Sequence, residues 1–170
     1  MERRDAMTRR LILMRHGQAH PLQPQQEDFS RTLTERGGHD AEVMGRLLMR
    51  RGWVPDGIVA SPAERTSATA RIVAIACGFD MSRITFAPDL YLADAEQYWQ
   101  TLETQDAALG CVLICGHNPG LSRLASRLGK PAKRRELPTA GLVTGVWQAA
   151  GWRGLELGMA QDCEPWGPQD

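Results

Sequence analysis

LILMRHGQAH, residues 11–20, decides how the rest of the chain is read. Four apolar residues, Leu11 to Met14, run directly into Arg15-His16-Gly17. A short unbroken apolar run is the mark of a strand buried on both faces, as in a parallel sheet covered by helices. A charged pair is an unusual end for such a strand. Either Arg15 and His16 simply meet water there, or the strand aims them at something.

Working outward, strand and helix signals alternate. The polar loop GQAHPLQPQQEDFSR (17–31) leads to a helix expected from Thr34, with Ala41, Met44, Leu47 and Leu48 at helical spacing and a stop at Gly52. DGIVAS (56–61) reads as a second strand. It feeds a helix with Ser61 as N-cap, Pro62 at the first position, Glu64 completing a capping box, and Gly78 at the end. RITFAP (83–88) is a third, shorter strand, and a helix follows from Asp94. CVLIC (111–115) is a fourth strand, followed by GHNPG and a helix over LSRLASRLG (121–129). LVTGVWQA (142–149) and GLELGM (154–159) read as two more strands joined by a turn around Gly151. This order predicts a single three-layer α/β/α domain over 1–170, with a mostly parallel central sheet and an antiparallel edge strand. Residues 160–170 are expected to form a loosely ordered tail. Residues 1–10 read as a disordered arm, and starts at Met1 and at Met7 both fit.

Composition narrows the class of function. Lys plus Arg and Asp plus Glu both total 20, so the net charge is zero and the general electrostatic case for a nucleic-acid binder is absent. No apolar run approaches the ~20 residues of a membrane-spanning helix. The basic start MERRDAMTRR has no apolar stretch of its own, so it does not read as a secretory signal. Cys111 and Cys115 share a strand face about 13 Å apart, too far to bond. With Cys77 and Cys163 they read as reduced thiols, and the expected compartment is the cytoplasm.

In open α/β sheets ligands bind beyond the carboxyl ends of the strands. The first strand ends in Arg15-His16-Gly17, the second in Ser61-Pro62 with Arg65 close behind, and the fourth in Gly116-His117-Asn118. Two imidazoles and two guanidiniums meeting in one crevice suit a tetrahedral dianion, because forked Arg donors match phosphate oxygens and a helix N-terminus adds partial positive charge. Any one of these residues alone is more often solvated than catalytic. The joint pattern carries the specificity.

With LTERG and SPAERTSAT, the pieces LMRHGQA and LICGHNPGL resemble the histidine phosphatase superfamily, which shares its fold with phosphoglycerate mutases. The short chain is most similar to the SixA-type phosphohistidine phosphatases within it, over about Leu11 to Trp147. The resemblance implies that His16 is the nucleophile, that Arg15 and Arg65 grip the phosphate oxygens, and that His117 donates a further hydrogen bond to them. Gly17, Gln18, Ser61 and Asn118 adjoin these four and are candidates for lining the substrate site, although loop filling is an equal reading of Gln18. Flanking guanidiniums keep a nucleophilic imidazole neutral and stabilise the transferring group. No metal or other cofactor is expected.

Larger members of the superfamily carry a carboxylic acid that protonates the leaving oxygen. The matching register in FAPDLYLADAE places Leu92 there, with Asp89, Asp94 and Glu96 nearby. Asp94 is more simply an N-cap. An alkoxide leaves badly without an acid, whereas an imidazole leaves readily once protonated. The departure therefore favours phosphohistidine on a signalling protein, such as a phosphotransfer domain, with inorganic phosphate as product. No long insertion supplies a lid, so an open site is expected, and GKPAKRRE (129–136) is one candidate surface for the partner, though a solvated loop is the plainer reading. A broader metabolite phosphomonoesterase and a non-catalytic phosphoprotein-binding module are the alternatives. A His/Asp metal hydrolase fails on ligand spacing.

Overall fold

A computed structural model describes residues 8–170. β1 (Thr8–Arg15), β2 (Gly57–Ala60), β3 (Thr85–Phe86), β4 (Cys111–Gly116), β5 (Leu142–Gln148) and β6 (Pro165–Trp166) form one sheet in the order β3-β2-β4-β1-β5-β6. The β3-β2-β4-β1 portion is parallel, and β5 runs antiparallel to both β1 and β6.

The helices α1 (Glu35–Arg50), α2 (Glu64–Cys77), α3 (Ala95–Glu103) and α4 (Gly120–Ala125) cover the two faces. Strand alternation sorts the core into two layers. Ile12 and Met14 of β1 face Met44 and Leu48 of α1 and Val73 of α2. Leu11 and Leu13 face the opposite layer, with Tyr98 and Leu102 of α3 and Leu121 and Leu124 of α4. Burial on both faces is why β1 and β4 carry continuous rather than alternating apolar runs.

Most local signals hold. Thr34 caps α1 by accepting from Gly37 N at 3.0 Å, Asp94 caps α3 by accepting from Gln97 N at 2.8 Å, and Gly78 ends α2 in the left-handed conformation. The cysteines are free, and Cys111 and Cys115 lie buried in one layer.

Five expectations are corrected. The capping box at Ser61 does not form: α2 begins at Glu64 with Ala63 as N-cap, and the Ser61 hydroxyl accepts from Ala63 N at 3.3 Å and from His117 Nε2 at 2.8 Å. The expected arm is shorter, since Thr8–Arg10 belong to β1; the remainder, 1–7, lies outside the described residues. GLELGM forms turns instead of a strand, and β6 comes from the supposed tail. That tail is anchored: Gln161 bridges Val146, and buried Trp166 packs edge-on to Trp53 and under the Arg51 guanidinium. The helix expected over 121–129 ends at Ala125, after which the chain turns.

Candidate active site

Register levels the strand ends. Arg15 of β1 lies opposite Gly116 of β4, and Ala60 of β2 lies opposite Cys115. His16, Ser61 and His117 are therefore each the first residue past a strand, on three neighbouring strands. The pairing continues one step further, with His16 N donating to Gly116 O and Ser61 N to Cys115 O, both at 3.2 Å. Gly116 has no alternative residue type here: a Cβ would sit 2.3 Å from the Tyr98 hydroxyl, which accepts from His117 N at 2.8 Å.

The His16 and His117 rings lie 5.5 Å apart, centroid to centroid. Arg65, the second residue of α2 and only 3% exposed, reaches between them. Its Nε donates to His16 Nε2 at 3.3 Å and its Nη2 faces His117 Nδ1 at 3.3 Å. A guanidinium only donates, so both ring nitrogens are acceptors. The proton of His16 then sits on Nδ1, which donates to Gly17 O at 2.7 Å, and that of His117 on Nε2, which donates to Ser61 Oγ at 2.8 Å. These bonds fix both tautomers.

Burial, then the nearby Arg65 and Arg15, push His16 down to about 4 against the hold of Gly17 O. Burial and Arg65 likewise push His117 down to about 3. Both imidazoles are neutral near pH 7, and His16 Nε2 carries a lone pair.

These groups open onto a cleft of about 330 Å³, also lined by Arg15, Gln18, Arg31, Leu92, Asn118 and Thr139. Arg15 Nη1 donates to Leu137 O at 3.0 Å, while its buried Nε has no hydrogen-bond partner among the described residues. Thr69, one turn after Arg65, couples helix to strand: its hydroxyl donates to Arg65 O and accepts from Gly17 N at 3.0 Å.

Two cleft residues carried no recognised sequence signal. Asp28 and Arg31 sit in the polar loop before α1, around the short 3-10 turn Asp28–Ser30. The Asp28 carboxylate accepts from Arg65 Nη2 at 2.9 Å, Arg31 Nη1 at 3.0 Å and the Tyr91 hydroxyl at 2.6 Å, and its backbone oxygen accepts from Arg65 Nη1 at 2.8 Å. Burial alone would raise its pKa, but the hydrogen bonds from Tyr91, Arg31 and Arg65 hold it well below the usual carboxylate range. The loop thus leans on a cleft that was expected to be bare.

Arg15, His16, Arg65 and His117 converge as expected, but the His117 nitrogen turned to the cleft, Nδ1, is an acceptor in this tautomer and has no proton to donate to a phosphate oxygen. Gln18 and Asn118 line the cleft with their polar groups engaged: Gln18 Oε1 accepts from the Thr34 hydroxyl, and Asn118 bridges Leu137 O and Ser122. Gly17 is buried, in close backbone contact with Gly37. Ser61 is fully buried behind His117, so it orients that ring and does not touch a ligand. Asp89 and Asp94 are exposed, Glu96 pairs with Arg127, and none of the three lines the cleft. Leu92 does.

The profile of the histidine phosphatase superfamily (branch 1) matches residues 11–109, more than half of the chain. The chain belongs to the histidine phosphatase superfamily. This superfamily membership supports a phosphatase. A SixA protein of Agrobacterium tumefaciens, assigned as a phosphohistidine phosphatase, is 31% identical, with a TM-score of 0.71 over 81% of this chain and 90% of that one. The protein histidine phosphatase SixA complexed with tungstate superposes with a TM-score of 0.79 at 20% identity, over 94% and 97% of the two chains, which shows the phosphoglycerate-mutase-like fold. An uncharacterised chloroplastic protein of Arabidopsis thaliana is 27% identical over 92% of this chain and 80% of its own length. Within the histidine phosphatase superfamily the chain is of the SixA type. Among the described residues no helix is long and apolar enough to cross a membrane.

Proposed function

We propose that this protein hydrolyses phosphohistidine on a phosphorylated protein, through a phosphoryl group carried transiently by His16. The observation that carries this reading is the lone pair of His16 Nε2, held unprotonated in a cleft with the guanidiniums of Arg15, Arg31 and Arg65. The SixA that shares this fold is complexed with tungstate, a tetrahedral oxyanion like phosphate.

In the first step His16 Nε2 attacks phosphorus, and the bond from phosphorus to the substrate imidazole breaks. The substrate ring reacts in the form that has taken a proton from solvent on its other nitrogen, so it leaves as a neutral imidazole. In the second step water attacks phosphorus, the bond to Nε2 breaks, and the water's proton leaves with phosphate or solvent. Charge stabilisation by guanidiniums around the transferring group supplies most of the acceleration. Leu92 in the cleft, where a carboxylic acid would serve an alkoxide, supports an imidazole leaving group over an alkyl one. Asp28 does not fill that role, because its strong hydrogen bonds keep it ionised.

The partner would approach beside Leu137, whose carbonyl holds Arg15 and Asn118. The exposed Lys130, Lys133 and Arg134 precede that residue and suit an acidic protein face. A cytoplasmic setting fits such a partner. The test is phosphate release, in chelator, from a phosphohistidine-bearing phosphotransfer protein and from an alkyl phosphomonoester. Release from the first alone is expected. Equal release from both would favour a metabolite phosphatase, and tight binding without release a binding module.

A further inference from the structure

Asp28 holds donors that a phosphoryl group needs. Arg65 has two terminal nitrogens: Nη1 donates to the Asp28 backbone oxygen and Nη2 to its carboxylate. An oxyanion gripped by Arg65 beside His16 must share these groups or take them. The cleft also sets three guanidiniums against one carboxylate, leaving two positive charges to meet a phosphoryl dianion.

Two further contacts distinguish this pair from an ordinary salt bridge. A buried guanidinium stripped of its counter-ion is strongly destabilised, so Arg65, almost wholly buried and paired among the described residues with Asp28 alone, needs an anion whether or not substrate is present. The carboxylate has its own alternatives. Arg31 holds Oδ1 at 3.0 Å, and the Tyr91 hydroxyl holds Oδ2 at 2.6 Å. If Arg65 turns to phosphate, Asp28 keeps both of these partners. The exchange therefore leaves neither charge unpaired.

We infer that Asp28 is an internal competitor for Arg65, holding its guanidinium in register between turnovers and loosening its hold on product phosphate. This rests on the cleft being the phosphoryl site proposed above. Asp28 is ionised across the working pH range, so the competition is one anion against another. A residue that only positioned Arg65 would act in the opposite sense, and its loss would weaken phosphate binding.

The experiment is calorimetric titration of inorganic phosphate into the unaltered protein and into Asp28→Asn, near pH 7.5. Removing a unit negative charge in contact with Arg65 should tighten phosphate binding by at least about fivefold. Product inhibition should strengthen in parallel. Unchanged or weaker binding in Asp28→Asn overturns this inference and leaves the phosphatase reading intact. Failure of the unaltered protein to bind phosphate would overturn that reading and this inference with it. If Asp28→Asn does not fold, deuterium exchange on the unaltered protein still decides the matter. Phosphate should speed exchange around Asp28–Arg31 by freeing the turn from α2, whereas slower exchange there contradicts displacement.

Discussion

His117 Nε2 donates to the Ser61 hydroxyl at 2.8 Å, and the serine is fully buried, so the protein interior rather than solvent sets the tautomer of His117. The other ring nitrogen, Nδ1, accepts from Arg65 Nη2 at 3.3 Å on the cleft side.

Ser61→Ala tests this relationship. It leaves His117 Nε2 buried without an acceptor, at a cost of about 1–3 kcal/mol. The ring becomes free to turn. We expect a melting temperature lower by several degrees and turnover reduced roughly tenfold, well short of abolition. Nitrogen NMR should show His117 keeping its Nε2–H tautomer, because Arg65 still donates to Nδ1, while the ring gains mobility. An unchanged melting temperature and unchanged turnover in the variant would contradict the role given to Ser61.

Leu92→Glu tests the argument about the leaving group. Leu92 is 56% exposed and lines the cleft, so a longer polar side chain fits without disturbing the core. A carboxylic acid there should raise turnover of an alkyl phosphomonoester by about tenfold or more, because general acid catalysis typically contributes factors of 10²–10⁴. Phosphohistidine turnover should change little. No gain on the alkyl ester would mean that Leu92 does not face the leaving group.

pH dependence follows from the two histidines. Their folded values, about 4 for His16 and about 3 for His117, lie below the ~6.5 of an unfolded histidine. The unfolded chain therefore binds more protons below pH ~6.5, and the folded state loses stability as pH falls from there towards 4. Above pH ~6.5 neither group contributes a slope. Chemical denaturation at pH 7 and at pH 5 should differ on the order of a few kcal/mol. NMR titration should show both rings neutral at pH 5. A charged His16 at pH 6 would contradict the tautomer assigned here.

The fold was largely legible because its signals are local. The apolar runs of β1 and β4, the caps Thr34 and Asp94, and Gly78 each depend on a few neighbouring residues. The same locality misled at Ser61, where a complete capping pattern lies two residues ahead of the actual N-cap and the hydroxyl also takes a bond from His117, 56 residues away. It also hid the tail, since Trp166 looks like a loose end until Trp53 and Arg51 are placed against it. The four central residues were legible because three strand ends carry them. Asp28 was not. It lies in a Gln- and Pro-rich loop, and its partners Arg65 and Tyr91 are 37 and 63 residues distant. Only the Asp28–Arg31 pair, three residues apart, was available to a reading of the sequence.

Everything proposed for the cleft turns on His16 Nε2 carrying the phosphoryl group. The most direct measurement is mass spectrometry of the protein quenched during turnover of a phosphohistidine-bearing protein, with His16→Ala alongside. A phosphoryl group on His16 is expected in the unaltered protein. In His16→Ala turnover should fall by about a thousandfold or more, as for removal of a nucleophile, with the fold retained. Near-normal turnover in His16→Ala, or a phosphoryl group on another residue, would contradict that role of His16.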